Sequence, residues 1–212
     1  MPISNNIKSC AICKKLIDLS IEYDGSYALI NNRYYHCDCW TNHKTALKSG
    51  AWSVQRCKDY LVKFQGEAKE KSDEIFYYGK LLQFLLLFFN CKIITTQMSE
   101  ILKKVNSGTF RDYSTIISNK ELYKLFTSQE EMLYQCNSKL KRQNALKGKN
   151  TEPNQLLAYD IVILLSNYDK YSSSLYEDKA ERTHIDYQNI FKHNSTPHYC
   201  SEVDISTMID DI

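Results

Sequence analysis

The chain has 212 residues, with 27 Lys+Arg against 25 Asp+Glu, 43% hydrophobic residues, eight cysteines and 16 tyrosines. This length excludes a large multidomain enzyme, and a formal net charge of +2 excludes a histone-like polyanion binder while leaving room for a local basic face. Six Gly and three Pro argue against a Gly-rich nucleotide loop or a Gly-dependent β-sandwich, and for a helical fold.

The first residues, Met1-Pro2-Ile3-Ser4-Asn5-Asn6, offer no apolar core for a signal peptide, so a cytoplasmic protein is expected. Four cysteines crowd into one N-terminal window, which in a reducing compartment points to metal and not to a disulfide scaffold. The first block, residues 1–48, opens on Cys10-Ala11-Ile12-Cys13. Ile21 and Tyr23 lead to the turn dipeptide Asp24-Gly25. Tyr27, Ala28, Leu29 and Ile30 follow, then a second turn at Asn31-Asn32, then Tyr34-Tyr35. This pattern predicts two or three short strands between two ligand pairs. The block closes on His36-Cys37-Asp38-Cys39-Trp40.

Cys10-x2-Cys13 and His36-x2-Cys39 stand 22 residues apart. Two thiolates two residues apart grip one ion from a tight knuckle whose N–H groups can bond the sulfurs. A second pair at that spacing fits the first turn of a helix. Three thiolates and an imidazole complete the tetrahedron that structural zinc prefers, with no position left for a catalytic water. The expected cofactor is therefore one structural Zn²⁺ on Cys10, Cys13, His36 and Cys39. A Cys₄ site using Cys37 with Cys39 is the alternative, and the helical spacing favours His36.

The run Cys-x2-Cys, 22 residues, His-x2-Cys and then the aromatic Trp40 resembles the first finger of a LIM domain. More broadly it is similar to treble-clef fingers, built of knuckle, hairpin and helix. The resemblance covers residues 10–48 and stops there, since only Cys57 follows where a second finger would need another pair. It implies a small zinc-dependent fold and partner binding. With its Lys/Ile/Asn/Tyr-rich helical remainder, the chain also resembles small uncharacterised proteins of low-GC phages and their hosts, a likeness of style that would place it in a host cytoplasm.

From Ser53 the pattern turns helical. Val54, Cys57, Leu61, Phe64 and Ala68 recur on one helical face. A second helix is expected from Ser72 through the apolar residues 81–89 to Phe89. That stretch is nine residues long, against ~20 needed to span a bilayer, so it reads as the buried central helix of a bundle. Thr96 is the expected N-cap of a third helix, with Met98, Ile101, Leu102 and Val105 inward and Asn106-Ser107-Gly108 as its end. Ser118-Asn119-Lys120-Glu121 and Ser128-Gln129-Glu130-Glu131 both read as capping boxes. The second would open a longer helix carrying Met132, Leu133, Cys136 and Leu140. Pro153 suits the first turn of a buried helix with Leu156, Leu157, Ile161, Val162, Leu164 and Leu165, running on to about Ala180. Cys57, Cys91 and Cys136 read as core thiols. The expected fold class is α+β: a small treble-clef-like zinc finger (residues 1–48), a mostly helical bundle of five or six helices (residues 53–180), and an acidic, poorly ordered tail (residues 181–212).

No Gly-rich phosphate loop, Gly-x-Ser-x-Gly, His-Glu-x-x-His or paired catalytic carboxylates are present, so no enzymatic activity and no small-molecule substrate are expected. His184 with Asp186, and His193, His198 and Cys200, read as solvated or tail residues and not as sites. Residues 1–72 hold eleven Lys/Arg against seven Asp/Glu. Lys14, Lys15, Lys44 and Lys48 flank the metal ligands, and Lys139, Lys141, Arg142 and Lys147 form a second basic stretch. Both are candidate phosphate contacts. Trp40, Tyr34 and Tyr35 could stack on bases or pack as core. Residues 96–126 are compatible with a helix-turn-helix, although 109–117 make no clear recognition helix. Two functions follow. The favoured one is a regulatory protein binding nucleic acid, DNA foremost. The alternative is a protein-binding module that inhibits or redirects a host protein, with the tail (net −5 over residues 177–212) mimicking nucleic acid. No membrane partner is expected.

Overall fold

The computed structural model describes residues 6–47, 50–171 and 173. Among these the protein is α+β and mostly helical, with two small two-stranded antiparallel sheets and six helices. The chain divides into two compact units, Met1–Gln83 and Phe84–Ile212. No helix among the described residues is long and apolar enough to cross a membrane.

In the first unit, β1 (Ile7–Ser9) pairs with β2 (Leu16–Asp18), and the turn between them carries Cys10 and Cys13. The second sheet pairs β3 (Tyr27–Ile30) with β4 (Arg33–His36). Asn31 and Asn32 join them with φ of 49° and 60°. Two consecutive left-handed residues make the turn whose twist matches the strands, and Asn tolerates that region better than most residues. Ile21 and Tyr23 lie outside the strands, and Ile21 is exposed. The Asp24 carboxylate accepts from Ser26 N, and Gly25 takes φ 81°, so Asp24-Gly25 is a turn that leads into β3.

Each face of β3 meets its own apolar cluster. Tyr27 and Leu29 pack with Cys10, Ile17, Leu19 and Ala68. Ala28 and Ile30 pack with Trp40, Cys57 and Leu61. Strand period two thus sends alternate residues into two small cores. α1 (Cys37–Thr45) starts directly after β4, with His36 as its N-cap.

α2 (Val54–Phe88) is one continuous helix of 35 residues, where the sequence suggested a break near residue 70. Lys71 reaches back to Glu67 at 3.0 Å and Lys69 forward to Asp73 at 3.1 Å. Each i,i+4 pair adds ~0.2–0.5 kcal/mol to the helix where a break was expected. Cys57, Leu61 and Ala68 are buried as their spacing implied, while Val54 is exposed. Gln65 Nε2 donates to Gly25 O at 2.9 Å, fixing α2 to the turn before β3.

In the second unit, α3 (Thr96–Asn106) is capped by Thr95, whose hydroxyl accepts from Met98 N, one residue before the expected cap. Residues 107–118 are not helical. Gly108 turns there at φ 64°, where a Cβ would lie 2.7 Å from Ser114 O. That connection is far longer than the three- or four-residue turn of a helix-turn-helix, so the motif is not formed. α4 (Asn119–Ser128) begins with the expected reciprocal box of Ser118 and Glu121. The second expected box does not form. Ser128 remains in α4 and donates its hydroxyl to Leu125 O, and Gln129 precedes α5 (Glu130–Leu146) without a side-chain cap. α6 (Pro153–Ser166) starts on Pro153 and is the most buried helix, packed on α3 and α5. The apolar stretch of α2 is two-sided instead, with Leu87 77% exposed. The helical run after Leu165 is interrupted at Asn167, and residues 174–180 lie outside the described set.

Candidate metal centre

Cys10, Cys13, His36 and Cys39 meet in the first unit, with their ligand atoms all within 4.8 Å of one another. The four side chains are close enough to hold one metal ion. His36 Nδ1 stands 3.3 Å from Cys13 Sγ and 3.9 Å from Cys39 Sγ. A tetrahedron with zinc-like bond lengths needs about 3.6 Å between sulfur and nitrogen ligands, so the two distances bracket the requirement.

The local backbone explains how the ligands converge. Cys10 N donates to Lys15 O and Lys14 N to Cys10 O, both at 2.9 Å, which closes the knuckle. Lys14 absorbs the reversal at φ 63°. Ala11 N donates to Tyr34 O, tying the knuckle to β4. His36 ends β4 and caps α1, so Cys39 in the first helical turn faces the same point.

Burial pushes the Cys10 thiol up, but the backbone N–H groups of Cys13, His36 and Ile12 outweigh it and hold the group at about 6. Burial and then the neighbouring sulfurs of Cys13 and Cys10 push the Cys39 thiol up to about 11. Without an ion the neighbouring thiols therefore retain at least one proton among them. Binding must expel that proton, so the apparent metal affinity is expected to rise at least tenfold per pH unit between about pH 7 and 9. Competition against a chromogenic chelator measures this, and a pH-independent affinity would count against thiol ligands.

Cys37 is not part of the group. Its Sγ donates to Gly25 O and accepts from Gln65 Nε2, both at 3.4 Å, and burial raises its thiol. The ligand alternative built on Cys37 is thereby set aside.

The basic residues named from sequence fall in two places. Lys14, Lys15 and Lys44 belong to the first unit; Lys139, Lys141 and Arg142 on α5, with Lys147 just after it, belong to the second. Lys48, and His184, Asp186, His193, His198 and Cys200, lie outside the described residues. Lys14 Nζ donates to Ala11 O at 2.8 Å. Lys44 Nζ sits 5.4 Å from the Trp40 ring centroid and 5.6 Å from that of Trp52.

Trp40 is buried and stacks on Tyr60 at 5.0 Å, with Trp52 edge-on to both. Tyr34 and Tyr35 pack against opposite clusters. All three aromatics named from sequence are thus at least partly committed to packing. Sequence reading missed Trp52 and Arg56. The Arg56 guanidinium lies 5.1 Å from the Trp52 ring and donates to Ala51 O at 2.7 Å. The available signal was one Trp four residues before an Arg, at the start of α2.

The first unit also carries a groove of about 540 Å³ between the strands and α2, lined by Lys8, Leu19, Tyr34, Glu70, Lys71, Glu74 and Ile75. Its mixed charges select no ligand class. No protein-family model, no curated protein and no solved structure matches the chain.

Proposed function

We propose that this chain is a non-enzymatic regulatory protein that binds nucleic acid, DNA foremost, through a treble-clef-like zinc finger. One structural Zn²⁺ would be held by Cys10, Cys13, His36 and Cys39. Sulfur-rich tetrahedral donors favour zinc over hard cations, and four protein ligands leave no open position for a hydrolytic water.

The observation that supports the nucleic-acid reading is the pair of cations on Trp52. Lys44 and Arg56 both lie within 6 Å of that ring, and neither forms an ion pair among the described residues. An aromatic ring orients a cation without cancelling its charge. Two cations fixed in this way can neutralise phosphates at little further entropic cost. Lys139, Lys141, Arg142 and Lys147 also lack ion pairs among the described residues and would form a second contact. Base stacking on Trp40 is not part of the reading, because its ring is already covered.

The test is a salt series with labelled duplex DNA, single-stranded DNA and RNA. The double variant Lys44→Glu, Arg56→Glu is expected to flatten the plot of log affinity against log salt by about 1.4–1.8, two phosphate contacts' worth. Failure to bind any of the three at low salt would reject the reading, and a stoichiometric co-purifying protein would replace it with the protein-binding alternative.

A further inference from the structure

The three sulfurs of the centre are not equivalent. Cys10 Sγ accepts a hydrogen bond from the backbone N–H of His36 at 3.4 Å. Its residue is fully buried. Cys13 and Cys39 are partly exposed. Among the described residues their sulfurs accept no backbone N–H bond, and each has His36 Nδ1 as its nearest polar ring atom. Hydrogen bonds to a thiolate draw off charge and lower its nucleophilicity, and burial blocks approach. An electrophile arriving from solvent therefore meets two sulfurs on partly exposed residues, without backbone N–H bonds, and one that is both buried and hydrogen-bonded to the backbone.

Those two sulfurs are also close, since all four ligand atoms lie within 4.8 Å. Side-chain rotation is needed to bring them to the ~2.05 Å of a disulfide.

We propose that Cys13 and Cys39 form an oxidation site for hydroperoxides, with Cys10 spared. The proposal rests on the metal-centre reading for its consequence, loss of the ion. The bound ion would hold Cys39 as a thiolate, and in the first step its sulfur attacks one peroxide oxygen. The S–O bond forms, the O–O bond breaks, and the departing hydroxide takes a proton to leave as water. In the second step the Cys13 thiolate attacks the sulfenic sulfur of Cys39. The S–S bond forms, the S–O bond breaks, and the second oxygen leaves as water. Two electrons pass from the two sulfurs to one peroxide, two protons are consumed, and no other co-reactant is needed. Cys39 goes first because its sulfur stands farther from the His36 ring, 3.9 Å against 3.3 Å for Cys13. With two donors joined to each other, only Cys10 and His36 remain, too few for a tetrahedral site.

The experiment uses the full chain as purified. Metal content is read first. Hydrogen peroxide is then added up to about two equivalents, metal release is followed with a chromogenic chelator, and thiols are trapped and mapped by mass spectrometry. The expected result is loss of the ion with about one equivalent of peroxide, a Cys13–Cys39 disulfide, and Cys10 recovered as a free thiol after denaturation. A Cys37→Ser variant is expected to give the same map. A disulfide that contains Cys10 or Cys37, or an ion retained after two equivalents, would overturn the proposal. If the purified chain holds no metal, the zinc reading fails on its own. A chain that also takes up no added Zn²⁺ removes the site together with the zinc reading, whereas a wrong pairing in a metal-loaded chain removes the site alone.

Discussion

Replacing Cys10 by Ser is expected to strip the metal and unfold the first unit while the helices of the second unit persist. The sheets of this unit are two-stranded, and an isolated hairpin is marginal in water. Its apolar clusters are small, with five or six buried residues each. Metal binding in comparable small sites supplies ~10–16 kcal/mol, as much as the whole stability of an ordinary domain. Cys10 is the most consequential ligand to remove, because it also anchors the knuckle and collects backbone N–H groups that Ser, with its shorter bond, would leave buried and poorly bonded. The readout is specific: both tryptophans of the chain, Trp40 and Trp52, lie in the first unit, so selectively excited tryptophan fluorescence reports it alone. Cys37→Ser is the control. It touches the same helix turn but leaves the four ligands in place, so the metal content should remain and stability should fall by only ~1 kcal/mol. Full metal content and an unchanged tryptophan spectrum in Cys10→Ser would show that the ion is not held where the four ligands converge.

Local signals with a mechanism were legible in the sequence. The knuckle spacing, the His-x2-Cys start of α1 and the Asn31-Asn32 turn each encode geometry within a few residues, and the structure places them accordingly. The Ser118 box was legible because an extended residue precedes α4. The same four-residue pattern at Ser128 misled, because a helix already occupied that position and its carbonyls claimed the hydroxyl. Nor could the sequence say what the face at Cys57, Leu61 and Ala68 packs against. Periodicity identifies an apolar face but not its partner, and here that partner is β3 and Trp40. The cations at Trp52 were illegible for a similar reason: Lys44 on α1 and Arg56 on α2 are twelve residues apart and meet only at the Trp52 ring.

Asn137→Ala is expected to destabilise the second unit by ~2–4 kcal/mol, while Asp160→Asn should stabilise it at neutral pH. Asp160 lies on α6 among Leu156, Leu157, Ile161 and Leu164 and is fully buried. Sequence reading singled out neither Asp160 nor Asn137, although Asn137 is in register with Leu133 and Leu140 on α5. Their pairing joins residues 23 apart, which no local pattern reveals. Asn137 Nδ2 donates to Asp160 Oδ2 at 2.9 Å, and the two remaining oxygens, one on each side chain, have no partner among the described residues. Burial raises the Asp160 carboxyl well above its usual range, with Asn137 and the more distant Lys141 only partly offsetting it. A protonated Asp160 also gains the one donor that the pair lacks. The sign follows from linkage. The unfolded chain ionises this carboxyl near 3.8, the folded chain only at higher pH, so stability falls as pH rises from the first value towards the second. Asp160→Asn removes the titration and supplies a permanent donor, so its stability should lose that slope. Removing Asn137 strands the carboxyl in an apolar core with no hydrogen-bonding side chain, the costly half of breaking a buried polar pair. Thermal melts of both variants from about pH 4 to 8 measure the contrast, and a wild-type slope retained by Asp160→Asn would assign the pH dependence to another group.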